Sequence, residues 1–266
     1  MIPVISVELM RESDKYTIKN FISSKELMYK AGKAVFDIAC PADGSVIVCG
    51  SGNNAGDGYV IALEMEKTGL NPTLLLLGNK FSEDGLYYFN RCKEKGINYT
   101  YADENMTFDG YSDIIDCIFG TGFKGEPKGL VAQIIDKINQ SQKRVISVDI
   151  NSGLNGNNGK YIKCIKSDLT VSIGYFKTGF FLGEAHRVIG KVINADIGIH
   201  LIGTPYSLID KVENFPYHYT DRFTSFEDNP VEELKSLAKG DYIRCNNILT
   251  NGTQTYIIAG DTSYGN

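Results

Sequence analysis

The sequence predicts an α/β protein, a three-layer αβα sandwich in which helices cover both faces of a mostly parallel, doubly wound sheet. Short apolar runs alternate with helix-forming stretches along the first 200 residues, which is typical of parallel sheets. Three apolar runs end in glycine-rich segments, after Cys49, Phe119 and Ile150. Because the carboxyl ends of parallel strands meet at one edge, these segments should line one ligand crevice.

The predicted elements alternate regularly up to about residue 200. The first two helices are expected at residues 7–19 and 24–39, the second capped by Ser24. The strand Val46–Cys49 leads into a glycine segment, residues 50–58, and a helix begins at Tyr59. Later strands are expected at residues 72–77, 98–102, 112–119, 144–150, 167–173 and 191–197. Two further helices are expected at residues 82–95 and 130–139, and the polar strand 98–102 should lie near an edge.

The last part of the chain has a different character. Residues 201–266 carry three prolines and many aromatic residues with little periodicity. A helix at residues 231–238 and a strand at residues 256–259 are the elements predicted there. We therefore predict one domain over residues 1–200 and a C-terminal extension, residues 201–266, that stays outside the sheet.

Composition excludes several functional classes. The net charge of -5 offers no basic field for nucleic acid, and no apolar run approaches the ~20 residues of a membrane span. Six scattered cysteines without a CxxC pair indicate reduced thiols rather than a disulfide framework, and three dispersed histidines make a zinc enzyme unexpected. The first residues lack the basic region of a signal peptide. A cytoplasmic protein acting on a small molecule is the prediction.

The first glycine segment indicates an anion site but not a dehydrogenase. Glycines at a strand-to-helix junction expose backbone N–H groups to a phosphate. The dinucleotide fingerprint G-x-G-x-x-G is absent, since three residues separate Gly52 from Gly56, and no carboxylate ends the second strand. No Gly-Lys-Ser/Thr follows either, which excludes a Walker loop.

Four segments resemble, in order, the motifs of the YjeF N-terminal domain family. They are GSGNNAGDGYVIA, DCIFGTGFKGEPKG, VISVDINSGLNG and SDLTVSIGYFKTGFFLGEAHRVIGKVINADIGI. The similarity runs from about residue 7 to residue 200. Two positions depart from the family pattern, because Ala55 replaces a usual glycine and Asn151 replaces a usual proline. The resemblance implies a Rossmann-like fold.

The resemblance also implies an activity, that of the NAD(P)H-hydrate epimerases. These isomerases interconvert the R and S forms of NADHX and NADPHX, in which water has added across the C5–C6 bond of the dihydronicotinamide ring. The alternative is a non-catalytic binding and dimerisation scaffold, as in an mRNA-decapping member of the family. The presence of Asn54, Asp116, Asp149 and Ser152 favours the enzyme.

Epimerisation at C6 requires a group that donates and recovers a proton. The hydroxyl could be lost and added again, or the ring could open, and both routes remain open at this point. Asp149, which ends the fifth strand, is the candidate acid/base; alternatively it caps the following Ser-Gly turn. Lys177 is a second catalytic candidate; alternatively it is a solvated surface lysine.

The remaining site residues are implied by the resemblance. A potassium ion would be held by Asn54, Asp116 and Ser152, and oxygen ligands suit such a hard cation. Alternatively, the buried Asp116 is satisfied by backbone N–H groups. The implied substrate-binding residues are Asn53, Asn54, Ala55, Gly56, Asp57, Gly120, Thr121, Gly122, Phe123, Lys124, Gly125, Glu126 and Asp149. Lys124 would pair with a phosphate or remain a solvated loop lysine.

The resemblance carries two expectations about assembly. Family members often pair through their first helices, so a homodimer is predicted. In bifunctional members the domain is fused to a dehydratase, and residues 256–265 weakly resemble the first strand and loop of that second domain. Because the sequence stops there, no dehydratase activity is expected.

Overall fold

The computed structural model describes residues 2–210, 217–220, 229–238, 240–260 and 262–265. The α-helices of this part of the chain are α1 (Val7–Asn20), α2 (Ser24–Ala39), α3 (Asn53–Lys67), α4 (Glu83–Glu94), α5 (Gly129–Gln140) and α6 (Pro230–Leu237). The strands of the first half are β1 (Ile2–Ile5), β2 (Val46–Cys49), β3 (Thr73–Leu76), β4 (Asn98–Tyr101), β5 (Asp113–Cys117) and β6 (Arg144–Val148). The later strands are β7 (Ser167–Ile173), β8 (Phe176–Lys177), β9 (Ile189–Ala195), β10 (Tyr206–Ile209), β11 (His218–Tyr219), β12 (Ile243–Cys245), β13 (Ile248–Thr250), β14 (Thr255–Ile258) and β15 (Ser263–Gly265).

The main sheet has the order β15-β9-β7-β6-β5-β2-β3-β4, and every neighbouring pair is parallel. Successive side chains of a strand point to opposite faces. Ile47 and Cys49 of β2 therefore pack with α2, α3 and α4, whereas Val46 and Val48 pack with α5. This arrangement confirms the predicted three-layer α/β sandwich, and β4 lies at an edge as predicted.

A second sheet joins the two ends of the chain. Its order is β11-β12-β13-β14-β10-β1-β8, in which the N-terminal strand β1 lies between β10 and β8. In the register of β1 with β8, Ile5 lies opposite Lys177. The pattern analysis missed this sheet because its strands are short and their partners are distant in sequence.

Within residues 7–200 most predicted elements are confirmed, with ends that differ by at most two residues. The start of α3 is a correction. It begins at Asn53 rather than Tyr59, so much of the glycine segment is helix. Gly56 and Gly58 serve helix packing there, because an added Cβ would lie 2.4 Å from Met28 Sδ and 2.8 Å from Cys117 Sγ.

Two smaller predictions are also wrong. The residue that caps α2 is Ser23 rather than Ser24, since its hydroxyl accepts a hydrogen bond from the Glu26 N–H at 3.2 Å. The extension does not stay outside the sheet, because β15 pairs with β9 at the edge of the main sheet. The predicted tail helix and strand are present as α6 and β14. Residues 211–216, 221–228, 239, 261 and 266 of the extension lie outside the described part.

No helix in the described part of the chain combines the length and the apolar character that crossing a membrane requires.

Candidate active site

The candidate site lies where the strand order of the main sheet reverses. The chain runs outward from β2 through β3 to β4 and then places β5 on the other side of β2. The segments that follow β2, β5 and β6 meet at the carboxyl edge beside this switch point, where such sheets bind ligands. Together with α1 and α2 they line a cavity of about 620 Å³, a volume typical of small-molecule sites.

Gly50 allows the segments after β2 and β5 to touch. Its N–H donates to the Cys117 carbonyl at 3.1 Å. A Cβ at this position would lie 2.0 Å from the Ile118 carbonyl oxygen, so a larger residue would push the two segments apart. The close approach places Asn54, in the first turn of α3, beside Phe119, whose carbonyl accepts a hydrogen bond from the Asn54 amide at 3.0 Å.

Asp149 follows β6 directly and lines the cavity. Its backbone has φ of 67°, in the left-handed region that few residues other than glycine adopt but that aspartate tolerates better than most. The Asp149 N–H donates to the Val171 carbonyl at 2.8 Å, which fixes this conformation. Unusual backbone conformations of this kind concentrate at functional sites.

Lys177 forms an ion pair with the Asp149 carboxylate. The lysine side chain is fully buried, and it also donates to Ser172 Oγ at 3.1 Å and to the Ile173 carbonyl at 2.9 Å. These three acceptors match the three donors of an ammonium group. Lys177 is therefore not a solvated surface lysine, and the Asp149 side chain faces this buried cation rather than only a local turn.

Asp116 is fully buried in β5 and is satisfied by four donors. The donors are the Ile118 N–H at 3.2 Å, the Ser147 hydroxyl at 2.9 Å, and the N–H and hydroxyl of Ser152 at 2.9 and 2.5 Å. Burial raises the pKa of Asp116, and the hydrogen bonds from Ser152, Ile118 and Ser147 oppose that rise. Backbone N–H groups thus account for two of the four hydrogen bonds.

One oxygen of Asn54, whose amide contacts the Phe119 carbonyl, lacks a partner among the described residues. Asn54 Oδ1 is buried and accepts no hydrogen bond from any described residue, and such a group is destabilising unless something binds it. Ser152 Oγ lies 3.3 Å from the Phe119 carbonyl that the Asn54 amide also contacts. Asn54, Asp116 and Ser152 are thus linked through neighbouring contacts, and the unpaired oxygen fits a hard cation.

The structure distributes the predicted substrate-binding residues over two environments. Those that line the cavity are Asn53, Asn54, Asp57, Gly120, Thr121, Gly122, Phe123 and Asp149. Ala55 is buried within α3, and Gly56 packs against Met28. Lys124, Gly125 and Glu126 lie on the exposed side of their loop, away from the cavity lining.

Pattern reasoning missed the contribution of α1 to this site. Arg11, Asp14 and Lys15 of α1 line the cavity. Burial and the charge of Asp149 raise the pKa of Asp14 to about 7. Asn157, which anchors the start of α1, was missed as well. The only available signal was the helical spacing of polar residues, which does not show what α1 packs against.

The fold and the site together define a class. A Rossmann-like α/β protein with a carboxylate–ammonium pair and a helix N-terminus at its switch point binds a small anionic molecule and can transfer protons to it. The chain belongs to the family of YjeF-related proteins, since the family model described as YjeF-related protein N-terminus matches residues 24–179.

Curated relatives support this assignment. The chain is 34% identical over 209 residues to the NAD(P)H-hydrate epimerase of Lentilactobacillus buchneri, covering 75% of this chain and 96% of the relative. It is 32% identical to the protein of the same name from Limosilactobacillus fermentum, covering 72% and 95%. It is 30% identical to the bifunctional NAD(P)H-hydrate repair enzyme Nnr of Coxiella burnetii, covering 71% of this chain but only 40% of that protein.

A solved structure shows the same fold. The crystal structure of yeast ynu0 superposes with a TM-score of 0.61, covering 67% of this chain and 83% of the yeast chain. The sequence identity is 22%, so this similarity supports the fold alone.

Proposed function

We propose that this protein is an NAD(P)H-hydrate epimerase, an isomerase that interconverts the R and S forms of NADHX and NADPHX. The names of the relatives that it matches over almost their whole length support this activity. The observation that carries the proposal in the structure itself is the Asp149–Lys177 ion pair at the cavity wall. It supplies a positioned acid/base with a fixed counter-charge, which proton transfer to a ring hydroxyl requires.

The substrate fits the cavity lining in its chemistry. No side chain caps the start of α3, so the N–H groups of Asn53 and Asn54 can donate to a diphosphate. Phe119 and Phe123 stack with ring centroids 3.9 Å apart, and both line the cavity. An aromatic pair of this kind offers a flat surface to a heterocyclic ring. A dinucleotide would bind with its phosphates at α3 and its reduced nicotinamide ring towards Asp149.

An epimerisation assay tests the proposal. Purified protein is added to S-NADHX and to R-NADHX, and the approach to the equilibrium mixture is followed by chromatography against the spontaneous rate. The Asp149→Asn variant serves as the inactive control. If the wild type leaves the ratio at its spontaneous rate, the enzyme proposal is wrong and the scaffold hypothesis replaces it. The same assay with NADPHX measures the cofactor preference.

A potassium ion is part of the proposal. Asn54, Asp116 and Ser152 would hold it, and the unpaired Asn54 Oδ1 is the observation that supports it. When bound, the ion would supply a fixed positive charge near the carboxyl edge of β5. The four hydrogen bonds to the buried Asp116 carboxylate come from uncharged donors, so the ion would supply it with a counter-charge.

We expect potassium to raise the thermal stability of the protein more than lithium does at equal ionic strength. An ion at 100 times its dissociation constant stabilises the folded state by about 2.7 kcal/mol. The Asn54→Ala variant should lose the difference in melting temperature between potassium and lithium. Asn105 is an exposed asparagine outside the site, and the Asn105→Ala variant should keep that difference. Thermal melting monitored by circular dichroism measures this. Equal melting temperatures in both salts for the wild type would contradict the prediction.

The remaining expectations concern assembly and location. A homodimer is proposed on the family resemblance. Light scattering after size-exclusion chromatography tests it, and a mass equal to that of one chain would contradict it. Absence of nucleic-acid binding rests on the net charge of -5, and a mobility-shift assay with RNA tests it. The cytoplasmic location rests on the scattered spacing of the six cysteines, which include no CxxC pair. A tagged protein recovered outside the cytoplasm would contradict it.

A further inference from the structure

The acid/base pair of Asp149 and Lys177 leaves other carboxyl groups of the cavity without a catalytic role, and Asp14 is one of them. Asp14 lies on α1 and lines the same cavity as Asp149. It therefore belongs to a different wall of the site, formed by a helix rather than by the carboxyl edge of the sheet. A substrate ring bound between α1 and the sheet would meet a carboxyl group on each side.

The position of α1 is fixed by contacts at both of its ends. At its start, the Val7 N–H donates to Asn157 Oδ1 at 2.8 Å, and the Asn157 amide donates to Glu8 at 2.9 Å. Near its end, Thr17 Oγ1 accepts a hydrogen bond from the His200 N–H at 2.9 Å. Because α1 is held in this way, Asp14 has a defined place in the site rather than a mobile one.

The surroundings of Asp14 raise its pKa to about 7, so that a large fraction of its carboxyl group is protonated at neutral pH. Burial contributes most to its raised pKa, the Asp149 carboxylate adds to it, and the Lys177 ammonium opposes it. Asp57 of α3, Asp84 of α4 and the cationic Arg11 and Lys15 of α1 also line the cavity. The site therefore combines a carboxyl group on α1 with a pKa of about 7 and the Asp149–Lys177 ion pair.

Epimerisation by loss and return of a hydroxyl needs two proton-transferring groups, one on each face of the ring. The hydroxyl leaves from one face of the ring, and water must return to the other face. One carboxyl group is limited to one face, whereas two groups on different walls serve both.

We propose that Asp14 is a second catalytic acid/base of the site, acting on the ring face that Asp149 does not reach. This inference rests on the proposed epimerase function. Asp14 donates its proton to the C6 hydroxyl as the C6–O bond breaks, water departs, and the N1 lone pair forms an iminium bond to C6. Water then adds to C6 from the other face, its proton passes to Asp149, and the electron pair returns to N1. Proton exchange with solvent restores the resting carboxyl group and carboxylate.

Asp57 is a weaker candidate for this role. Asp57 is buried within α3, whereas Asp14 is half-buried and therefore more open to a bound substrate. Burial, together with the charges of Asp149 and Asp14, holds the pKa of Asp57 well above its usual range. A group that alternates between acid and base works best when its pKa lies near the working pH, a condition that Asp14 meets with a pKa of about 7.

The test compares kcat, KM and the pH profile of the wild type with those of Asp14→Asn. We expect kcat to fall at least about 100-fold in the variant, which is the lower range for loss of a general acid, with KM within about threefold. The wild-type rates of R-to-S and of S-to-R conversion should both decline above about pH 7, because each reaction needs one proton shared between Asp14 and Asp149. This decline should be absent in the variant. The control Glu12→Gln, on the exposed side of α1, should behave as wild type.

A second measurement does not depend on how the variant folds. The carboxyl carbon of Asp14 is titrated by NMR in the wild type, with a midpoint expected near 7 that decreases in Asp149→Asn. The inference is wrong if a folded Asp14→Asn variant keeps kcat within threefold of wild type, or if the Asp14 midpoint lies near that of a free aspartate. In either case the epimerase function stands. A wild type that does not accelerate epimerisation overturns the function itself.

Discussion

Asp149→Asn is expected to lower kcat for epimerisation by about 10³- to 10⁴-fold with little change in KM. Proton transfer by a positioned side chain contributes typically about 10²–10⁴-fold, and Asp149 is the carboxylate that both lines the cavity and is paired with Lys177. Asparagine keeps the size and the hydrogen-bonding shape of the side chain but carries no titratable proton. It also tolerates the left-handed backbone at this position better than most residues. The structural effect of the substitution should therefore be small.

The measurement is steady-state kinetics with purified NADHX epimers, with circular dichroism as the folding control. Asp109→Asn, an exposed aspartate distant from the cavity lining, is the matched control and should keep wild-type rates. A folded Asp149→Asn variant with more than about one tenth of wild-type kcat would show that Asp149 is not the acid/base.

Lys177→Met is expected to lower both stability and activity. Methionine fills a similar volume, but it leaves the Asp149 carboxylate without its counter-charge and removes one hydrogen-bond donor each from Ser172 Oγ and the Ile173 carbonyl. Removing one partner of a buried ion pair typically destabilises a protein by about 3–5 kcal/mol. Because the Asp149 side chain is 17% exposed, water relieves part of this effect, and we expect the lower end of that range.

Chemical unfolding of Lys177→Met, with Lys166→Met as an exposed control, measures this loss. The double variant Asp149→Asn/Lys177→Met should be more stable than the sum of the two single losses predicts, because it contains no unpaired buried charge. Additive losses would show that the two side chains do not interact in the folded protein.

The alternation of strands and helices was predictable because it is a local property of the sequence. Buried parallel strands appear as short apolar runs, and the helices between them carry apolar residues at helical spacing. The glycine segments marked the carboxyl edge for the same reason, since a close backbone approach such as that of Gly50 to Ile118 requires glycine in the sequence.

Predictions were less successful where local preference and tertiary packing compete. Residues 53–58 have the composition of a loop, yet they form the first turns of α3 because Gly56 and Gly58 let that helix pack tightly on Met28 and Cys117. Likewise, β15 is a three-residue strand with no pattern of its own. It exists because the edge of β9 offers it a hydrogen-bonding partner.

The sequence by itself determined the α/β architecture, the crevice at its carboxyl edge, and the candidates Asp149, Lys177, Asn54, Asp116 and Ser152. Only the tertiary structure decided which charges meet: it joins Lys177 to Asp149 and brings Asp14 of α1 into their cavity. The physical reason is that the pKa of an ionisable group depends on its burial and on charged or hydrogen-bonding neighbours within a few ångströms. Those neighbours come from distant parts of the chain, so neither composition nor spacing specifies them.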